Sequence, residues 1–340
     1  MHDTGKALTI LKHCFIKDKK PTKVVIMATD RCNSRCSTCN IWTQPVTLNP
    51  ITPEEISITL SDPICSDIDS VLISGGEPTM RPDLYPFVMA IHKALPNAHI
   101  ALSTNGIRPY TMLILVNNLL HDGITNLSVG TSIDYIGEKH DQIRGVKDNW
   151  RKVNLLIDGL MKLRIEYPSL GIGFGTVLQG ENADNIEEIV KFAKERDLYY
   201  LLQWCNQSLF YHNIGFTKLH PDKERELVEK YHQEGPLKEK WLDKLAGKDI
   251  RFNCYALVDF FVIAANGDVK PCLTHWCSNA GNIRLKSLSK ILYSPMALID
   301  VWRCSGCINS WGVGWSNQAH GWDYVKYAIR NPLQTLEKLK

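Results

Sequence analysis

The 340-residue chain lacks any apolar run long enough to cross a bilayer. Its longest, Lys23–Thr29 and Phe260–Ala265, fall far short of the roughly 20 residues that a membrane-spanning helix needs. Met1–Lys23 is charged and has no apolar segment ending in a small-residue cleavage site, so no secretory signal is read and the expected compartment is cytoplasmic. Charge of one sign is also scarce. Thirty-nine basic residues against 36 acidic ones leave +3, too little over this length to argue for a nucleic-acid surface. Fixed-period repeats and low-complexity stretches are absent, which excludes solenoids and biased linkers. With 44% hydrophobic and 22% charged residues the chain is neither disordered nor fibrous. Cysteine, by contrast, is plentiful. Eleven is an odd number and a large one for a reducing compartment, so metal or redox chemistry is a stronger reading than a disulfide framework.

Short β-branched runs alternate with helical patterns from about residue 23 to 205. The expected strands are Val24–Thr29, Ser70–Ser74, His99–Ser103, Asn126–Ser132, Gly171–Leu178 and Tyr199–Cys205. The expected helices are Pro53–Leu60, Pro82–Leu95, Tyr110–Leu120, Trp150–Tyr167, Asn185–Arg196 and Asp222–Glu234. Six parallel strands with crossover helices make either an open doubly wound sheet or a partial barrel, with functional residues at the strands' carboxyl ends in both cases. The rhythm stops near Ser208, and a hairpin pattern of Phe260–Ala265, Asn266-Gly267 and Asp268–Pro271 follows. The expected division is an extension over 1–22, a βα unit over 23–215, a helical linker over 216–249, a cysteine module over 250–310 and an aromatic, basic tail over 311–340.

Cys32, Cys36 and Cys39 follow the first strand as C-x3-C-x2-C. Three soft ligands on one loop leave one metal position open, which suits an iron-sulfur cluster better than a closed zinc site. This triplet, with Gly75-Gly76-Glu77-Pro78 at the end of the second strand, resembles the radical S-adenosylmethionine superfamily. The resemblance implies an α/β fold of partial (βα)6 TIM-like barrel type. It also implies a 4Fe-4S cluster on the three cysteines, S-adenosylmethionine bound to its free iron, reductive cleavage to a 5′-deoxyadenosyl radical, and a flavodoxin- or ferredoxin-type electron donor. Gly75 and Gly76 then let backbone approach the ligand, and Glu77 offers a carboxylate or carbonyl to the methionine ammonium. Ser103-Thr-Asn105-Gly106 and Ser132-Ile-Asp134 stand where similar proteins contact ribose and carboxylate. His140–Gly145 looks like the family's HD-x-IRG segment, with Arg144 expected to pair with the ligand carboxylate or to brace a helix end. Thr38 replaces an aromatic common in the family, and Trp42 is the expected apolar wall against adenine.

Cys254-x12-Gly267-x4-Cys272, followed by Cys304-x2-Cys307, can close a four-cysteine zinc site or fully ligate a cluster. The pattern resembles the SPASM auxiliary-cluster domain, and with no cysteine after Cys307 it looks like the shortened twitch version holding one auxiliary 4Fe-4S cluster. The expected ligands are Cys254, Cys272, Cys304 and Cys307, with Cys277 the alternative to one of them. Cys205 ends the sixth strand and is the candidate hydrogen donor, weighed against a plain buried apolar role. The tail residues Trp311, Trp315, Trp322, Tyr324 and Tyr327 are read as a helix on its own domain in preference to a membrane-surface contact.

The resemblance to twitch-bearing members implies oxidation of an alcohol on a small carbohydrate or aminocyclitol-like substrate, with the auxiliary cluster as electron acceptor. Two alternatives stay beside it: a carbohydrate epimerase using a cysteine hydrogen donor, and maturation of a ribosomal peptide, ranked lower because the segment ahead of Lys23 is short for a leader-binding module. A non-catalytic zinc scaffold is the reading from a different class.

Overall fold

The computed structural model describes residues 21–205, 207–208, 210–216, 219–248, 256–273, 278–294 and 297. Strands β1 (Lys23–Thr29), β2 (Ser70–Gly75), β3 (His99–Ser103), β4 (Leu127–Ser132), β5 (Gly171–Leu178) and β6 (Tyr199–Trp204) run parallel, each to the next. Between and after them come α1 (Pro53–Leu60), α2 (Leu84–Ala94), α3 (Pro109–His121), α4 (Lys139–Arg144), α5 (Asn149–Glu166), α6 (Ile186–Glu195), α7 (Pro221–Tyr231) and α8 (Pro236–Leu245). The spacing identifies these elements to within two or three residues. Two exceptions are α4, which reads in sequence as a loop motif, and α8, which is unresolved within the charged stretch after α7.

Local chemistry explains where the helices start. At α1, Thr52 Oγ1 accepts from Glu55 N at 3.2 Å, Glu55 Oε2 accepts from Thr52 N at 2.8 Å, and Pro53 occupies the first turn. Two otherwise orphaned donors are satisfied reciprocally, so the helix cannot begin elsewhere at equal cost. Packing then selects the strand faces. Val24, Ile26 and Ala28 join the large core shared with the helices, while Val25 and Met27 pack on the opposite side with Leu72, Ile41 and Phe210. Both faces of β1 are therefore covered, and the strand reads as an unbroken apolar run. In β3 and β4 the pattern alternates: Ile100, Leu102, Leu127 and Val129 are buried among the helices, and Ala101, Ser103, Ser128, Gly130 and Ser132 face the other way, half-buried. The concave side is thus built from small and hydroxyl-bearing residues.

The sheet has nine strands in the order β6-β5-β4-β3-β2-β1-β7-β8-β9, with β7 (Phe260–Ile263), β8 (Asp268–Lys270) and β9 (Gly281–Asn282) added beyond β1. It is an open, partial barrel among the described residues. The hairpin expected in a separate module is hydrogen-bonded into the same sheet: β7 pairs parallel with β1 from Lys23↔Phe260 to Ile26↔Ile263. Thr22 N donates to Asp259 O at 2.8 Å just ahead of that register. An exposed edge at β1 would leave a ladder of unpaired backbone groups, and β7 covers it. The Asn266-Gly267 turn forms as the dipeptide suggests, with Gly267 at φ +87° and Val262 opposite Lys270. A short helix, α9 (Leu288–Leu292), follows β9 and buries Leu288, Ile291 and Leu292.

No helix among the described residues is long and apolar enough to cross a membrane. The tail over 311–340 lies outside the described residues.

Candidate functional site

Parallel pairing of β1 to β6 brings their carboxyl ends to one rim, where the expected motifs meet. The loop after β1 carries Cys32, Cys36 and Cys39, all free thiols. It is held from two sides. From α4, Arg144 O accepts from Arg35 N at 3.0 Å and Ile143 O accepts from Ser37 N at 2.9 Å. Gly145 stands at φ +63°, and a Cβ there would fall 2.4 Å from Arg35 O. Hence glycine is required where the helix turns against the cysteine loop. From the far side of the rim, Asn40 N donates to Tyr211 O at 2.7 Å and Asn213 Nδ2 donates to Thr38 O at 2.9 Å.

The environment of the thiols suits a soft metal cluster. Burial pushes the Cys39 thiol up to about 12 and raises Cys32 as well, with the neighbouring thiolates adding to the shift. Such thiols stay protonated unless a soft cation takes the thiolate. Polar groups lie on the sulfurs: Ser34 Oγ is 3.1 Å from Cys36 Sγ, and Asn105 Nδ2 is 3.9 Å from Cys32 Sγ. Among the described residues no three His, Cys, Asp or Glu side chains converge as a single metal ion requires. A cubane takes each thiolate on a different iron, so three thiols spread along one loop fit a cluster better than a lone zinc.

The glycines at the end of β2 also have a structural purpose within the chain. Gly75, at φ +128°, would place a Cβ 2.2 Å from Thr29 O, and Gly76 would place one 2.1 Å from Arg31 O. They let the β2 end lie against the backbone that leads into the cysteine loop, an approach sealed by Gly76 N to Thr29 O at 2.7 Å and Glu77 N to Arg31 O at 2.8 Å. Glu77 also departs from expectation. Its carboxylate is fully buried and accepts from Thr79 N at 3.2 Å, Thr79 Oγ1 at 2.7 Å, Thr104 Oγ1 at 2.8 Å and Asn105 N at 2.6 Å. Burial raises its pKa, and the four donors oppose that shift. With three of these bonds on Oε1 and one on Oε2, the Glu77 carboxylate ties the end of β2 to the end of β3.

Asn105 is where this brace meets the cysteines, since its Nδ2 also donates to Asn33 Oδ1 at 2.8 Å. Ser103 and Ser132 lie half-buried on the concave face, as the alternation predicts. Asp134, expected at the ligand, and Arg144, expected at the ligand carboxylate or bracing a helix end, are paired with each other: Arg144 Nη1 lies 3.0 Å from Asp134 Oδ2, and the Arg144 and Asp134 side chains are 11% and 1% exposed. Asp134 Oδ1 accepts from Val177 N at 3.0 Å, and His140 Nδ1 accepts from Asp134 N at 3.2 Å. That acceptor role needs a neutral ring, and burial holds the His140 pKa down at about 4. Trp42 is 39% exposed with the Arg35 guanidinium 4.5 Å from its ring centroid, whereas Ile41 beside it is the buried apolar contact.

Three residues that sequence reading leaves out complete the mouth. Gln203 crosses Gly175, whose added Cβ would stand 3.3 Å from the amide. Phe210 packs with Ile41, Met27 and Leu273, and Tyr211 stacks edge-on to Phe210 at 4.9 Å between centroids. Burial raises the pKa of the Tyr211 phenol, with Cys39, Cys272 and Cys205 adding to the shift, and Tyr211 and Cys39 pack against the same cluster as Leu273. Its only sequence signal is an aromatic pair just past the last strand. Cys205 and Cys272 are both buried. Cys254, Cys304, Cys307 and the alternative Cys277 lie outside the described residues. Of the loop positions that would suit a general base, Glu181 and His212 are exposed and His275 is outside the described residues.

Comparison with protein families matches residues 26–193 to the Radical SAM superfamily and residues 254–308 to the SPASM iron-sulfur cluster-binding domain. An Fe-coproporphyrin III synthase of Methanosarcina barkeri is 29% identical over 211 residues, 61% of this chain, which spans only about half of that relative (49%). A GTP 3′,8-cyclase of Marinobacter nauticus is 24% identical over 278 residues, covering 79% of this chain and 77% of its own. The fold is similar to the crystal structure of SuiB from Streptococcus suis bound to S-adenosylmethionine, with a TM-score of 0.63 at 17% identity over 86% of this chain and 69% of that one. With its cysteine loop, its rim and these matches, the chain belongs to the radical S-adenosylmethionine superfamily and carries a SPASM domain, which brings a 4Fe-4S cluster, an auxiliary cluster and S-adenosylmethionine.

Proposed function

We propose that this radical enzyme oxidises an alcohol to a ketone on a small hydroxylated substrate of carbohydrate or aminocyclitol type. The observation that carries the reading is that Cys39 and Tyr211 pack against the cluster containing Leu273, the neighbour of Cys272. An electron acceptor beside the SPASM cysteines would then lie next to the place of hydrogen abstraction. When bound, the two clusters and S-adenosylmethionine supply a hydrogen-abstracting radical and a one-electron acceptor. Removing one hydrogen atom, one electron and one proton from a carbinol leaves the ketone.

In this reading Cys32, Cys36 and Cys39 hold the first cluster, and Cys254, Cys272, Cys304 and Cys307 the second, in a twitch-sized module. Carbonyls of Gly75 and Gly76, with Ser103, Asn105 and Ser132, form the polar side of the S-adenosylmethionine site. Ser74, Ser128 and Gln203 on the same concave face offer hydroxyl and amide partners to a polar substrate, and Gly130 leaves it room. The curated relatives include an Fe-coproporphyrin III synthase and several GTP 3′,8-cyclases, and the proposed substrate class does not rest on either name.

Cys205 supports a second reading, epimerisation, in which a thiol returns hydrogen to the substrate radical. The two separate in one experiment: turnover of a panel of inositols, aminoinositols and sugars in deuterated water by the intact enzyme and by Cys205→Ala. Oxidation predicts a carbonyl product equal to the 5′-deoxyadenosine formed, unchanged within about twofold in the variant. A product carrying one solvent deuterium and no carbonyl, lost in Cys205→Ala, contradicts it.

A further inference from the structure

The buried pair at the end of α4 has no part in the roles assigned so far. Arg144 reaches the cysteine loop twice. Its carbonyl oxygen accepts from Ser34 Oγ and from Arg35 N, both at 3.0 Å, and that Ser34 hydroxyl lies 3.1 Å from Cys36 Sγ. Its guanidinium pairs with the buried Asp134 carboxylate, which keeps the cation inside the protein. Only one guanidinium nitrogen is paired with Asp134, at 3.0 Å, and Nε is buried with no hydrogen-bond partner. A cation this well shielded from water acts over several ångströms, because the surrounding protein screens it far less than solvent would.

We propose that the Arg144–Asp134 pair sets the reduction potential of the cluster held by Cys32, Cys36 and Cys39, with Arg144 raising it and Asp134 lowering it. The inference rests on the reading that this loop holds a cluster. Reduction adds one negative charge to the group on the thiolates. Arg144, joined to the cysteine loop through the Ser34 hydroxyl that lies on Cys36 Sγ, stabilises the reduced form, and Asp134 partly cancels that field while Val177 N fixes its carboxylate. Removing each charge must therefore move the potential in opposite directions. A brace without an electrostatic role has no reason to give opposite signs.

The test is potentiometric titration of the intact reconstituted protein, followed by electron paramagnetic resonance, with iron and sulfide counted in every sample. The signal that vanishes in a Cys32/Cys36/Cys39→Ala variant identifies the cluster. Arg144→Gln is expected to make reduction at least tenfold less favourable, a midpoint about 59 mV more negative for one electron. Asp134→Asn shifts it to a more positive potential, and Arg144→Lys, which keeps the charge, stays closest to the native value. No change in potential, or shifts of the same sign in Arg144→Gln and Asp134→Asn, overturns the proposal while leaving the cluster reading intact. Loss of the cluster in all three variants makes the pair a structural brace and overturns it as well. Absence of the cluster from the native protein would instead defeat the reading on which it rests.

Discussion

Gly76→Ala is expected to displace the cysteine loop and to cut the iron content of the reconstituted protein to half or less. The added methyl would stand 2.1 Å from Arg31 O, 2.5 Å from Arg31 C and 2.9 Å from Asp30 O. These are backbone atoms in a segment tied down by Glu77 N at 2.8 Å, so no side chain can swing away to relieve the overlap. Arg31 must move by about 1 Å, and Cys32 is the next residue. Overlap of this kind costs about 3 kcal/mol or more, since a clash against fixed backbone cannot be absorbed by a rotamer change. Thermal unfolding read by circular dichroism and iron analysis of the same sample check both parts. Gly123→Ala serves as a comparison: Gly123 has a positive φ of +96° but nothing within 4 Å of an added Cβ. It should lose some stability from its backbone conformation and keep its iron. Native iron and stability in Gly76→Ala would show that the β2 end does not position the loop.

Glu77→Ala is expected to be the most destabilising side-chain truncation at the rim. It strands four donors at once: two backbone N–H groups and two hydroxyls. The hydroxyls can turn elsewhere, but Thr79 N and Asn105 N cannot, and each buried orphan costs about 1–3 kcal/mol. A total of about 3–5 kcal/mol follows for the alanine variant. Glu77→Gln should lose less, about 2 kcal/mol, for a geometric reason. Its amide oxygen can still accept from Thr79 and Thr104, while its amino group would face Asn105 N–H, one donor against another. Because Asn105 also contacts Asn33 and Cys32, iron content should fall in the same order as stability. Chemical denaturation of the three proteins provides the ranking. A glutamine variant as damaged as alanine would mean that the carboxylate's charge, more than its acceptor geometry, is what the rim needs.

These two residues also show where sequence reading stops. Local signals were sufficient for the strands: His99–Ser103 and Gly171–Leu178 match residue for residue, because alternation and β-branching are properties of neighbouring positions. The cysteine triplet was legible for the same reason, being a spacing within one loop. What Glu77 does was not, because its partners Thr104 and Asn105 are 27 and 28 residues away and lie just past the end of another strand. Gly75 and Gly76 suggested room for a ligand, and nothing local announced that they also let the chain lie against Thr29 and Arg31. Asp134 and Arg144 are only 10 residues apart, yet the helix between them, α4, was hidden in a motif read as a loop, so their pairing was hidden too. The junction of β7 with β1 joins residues 237 apart, and no pattern within either strand announces it. Tyr211 becomes informative only when the fold packs it, with Cys39, against the cluster that contains Leu273.

The proposed oxidation requires two clusters held by two separate sets of cysteines. Iron and acid-labile sulfide per chain after anaerobic reconstitution, on the native protein and on the Cys32/Cys36/Cys39→Ala variant, test this most directly. The prediction is about eight irons falling to about four, with sulfide in step, one cluster lost and the auxiliary one kept. About four irons falling to none, with zinc on the C-terminal cysteines, would remove the electron acceptor and contradict the proposed oxidation.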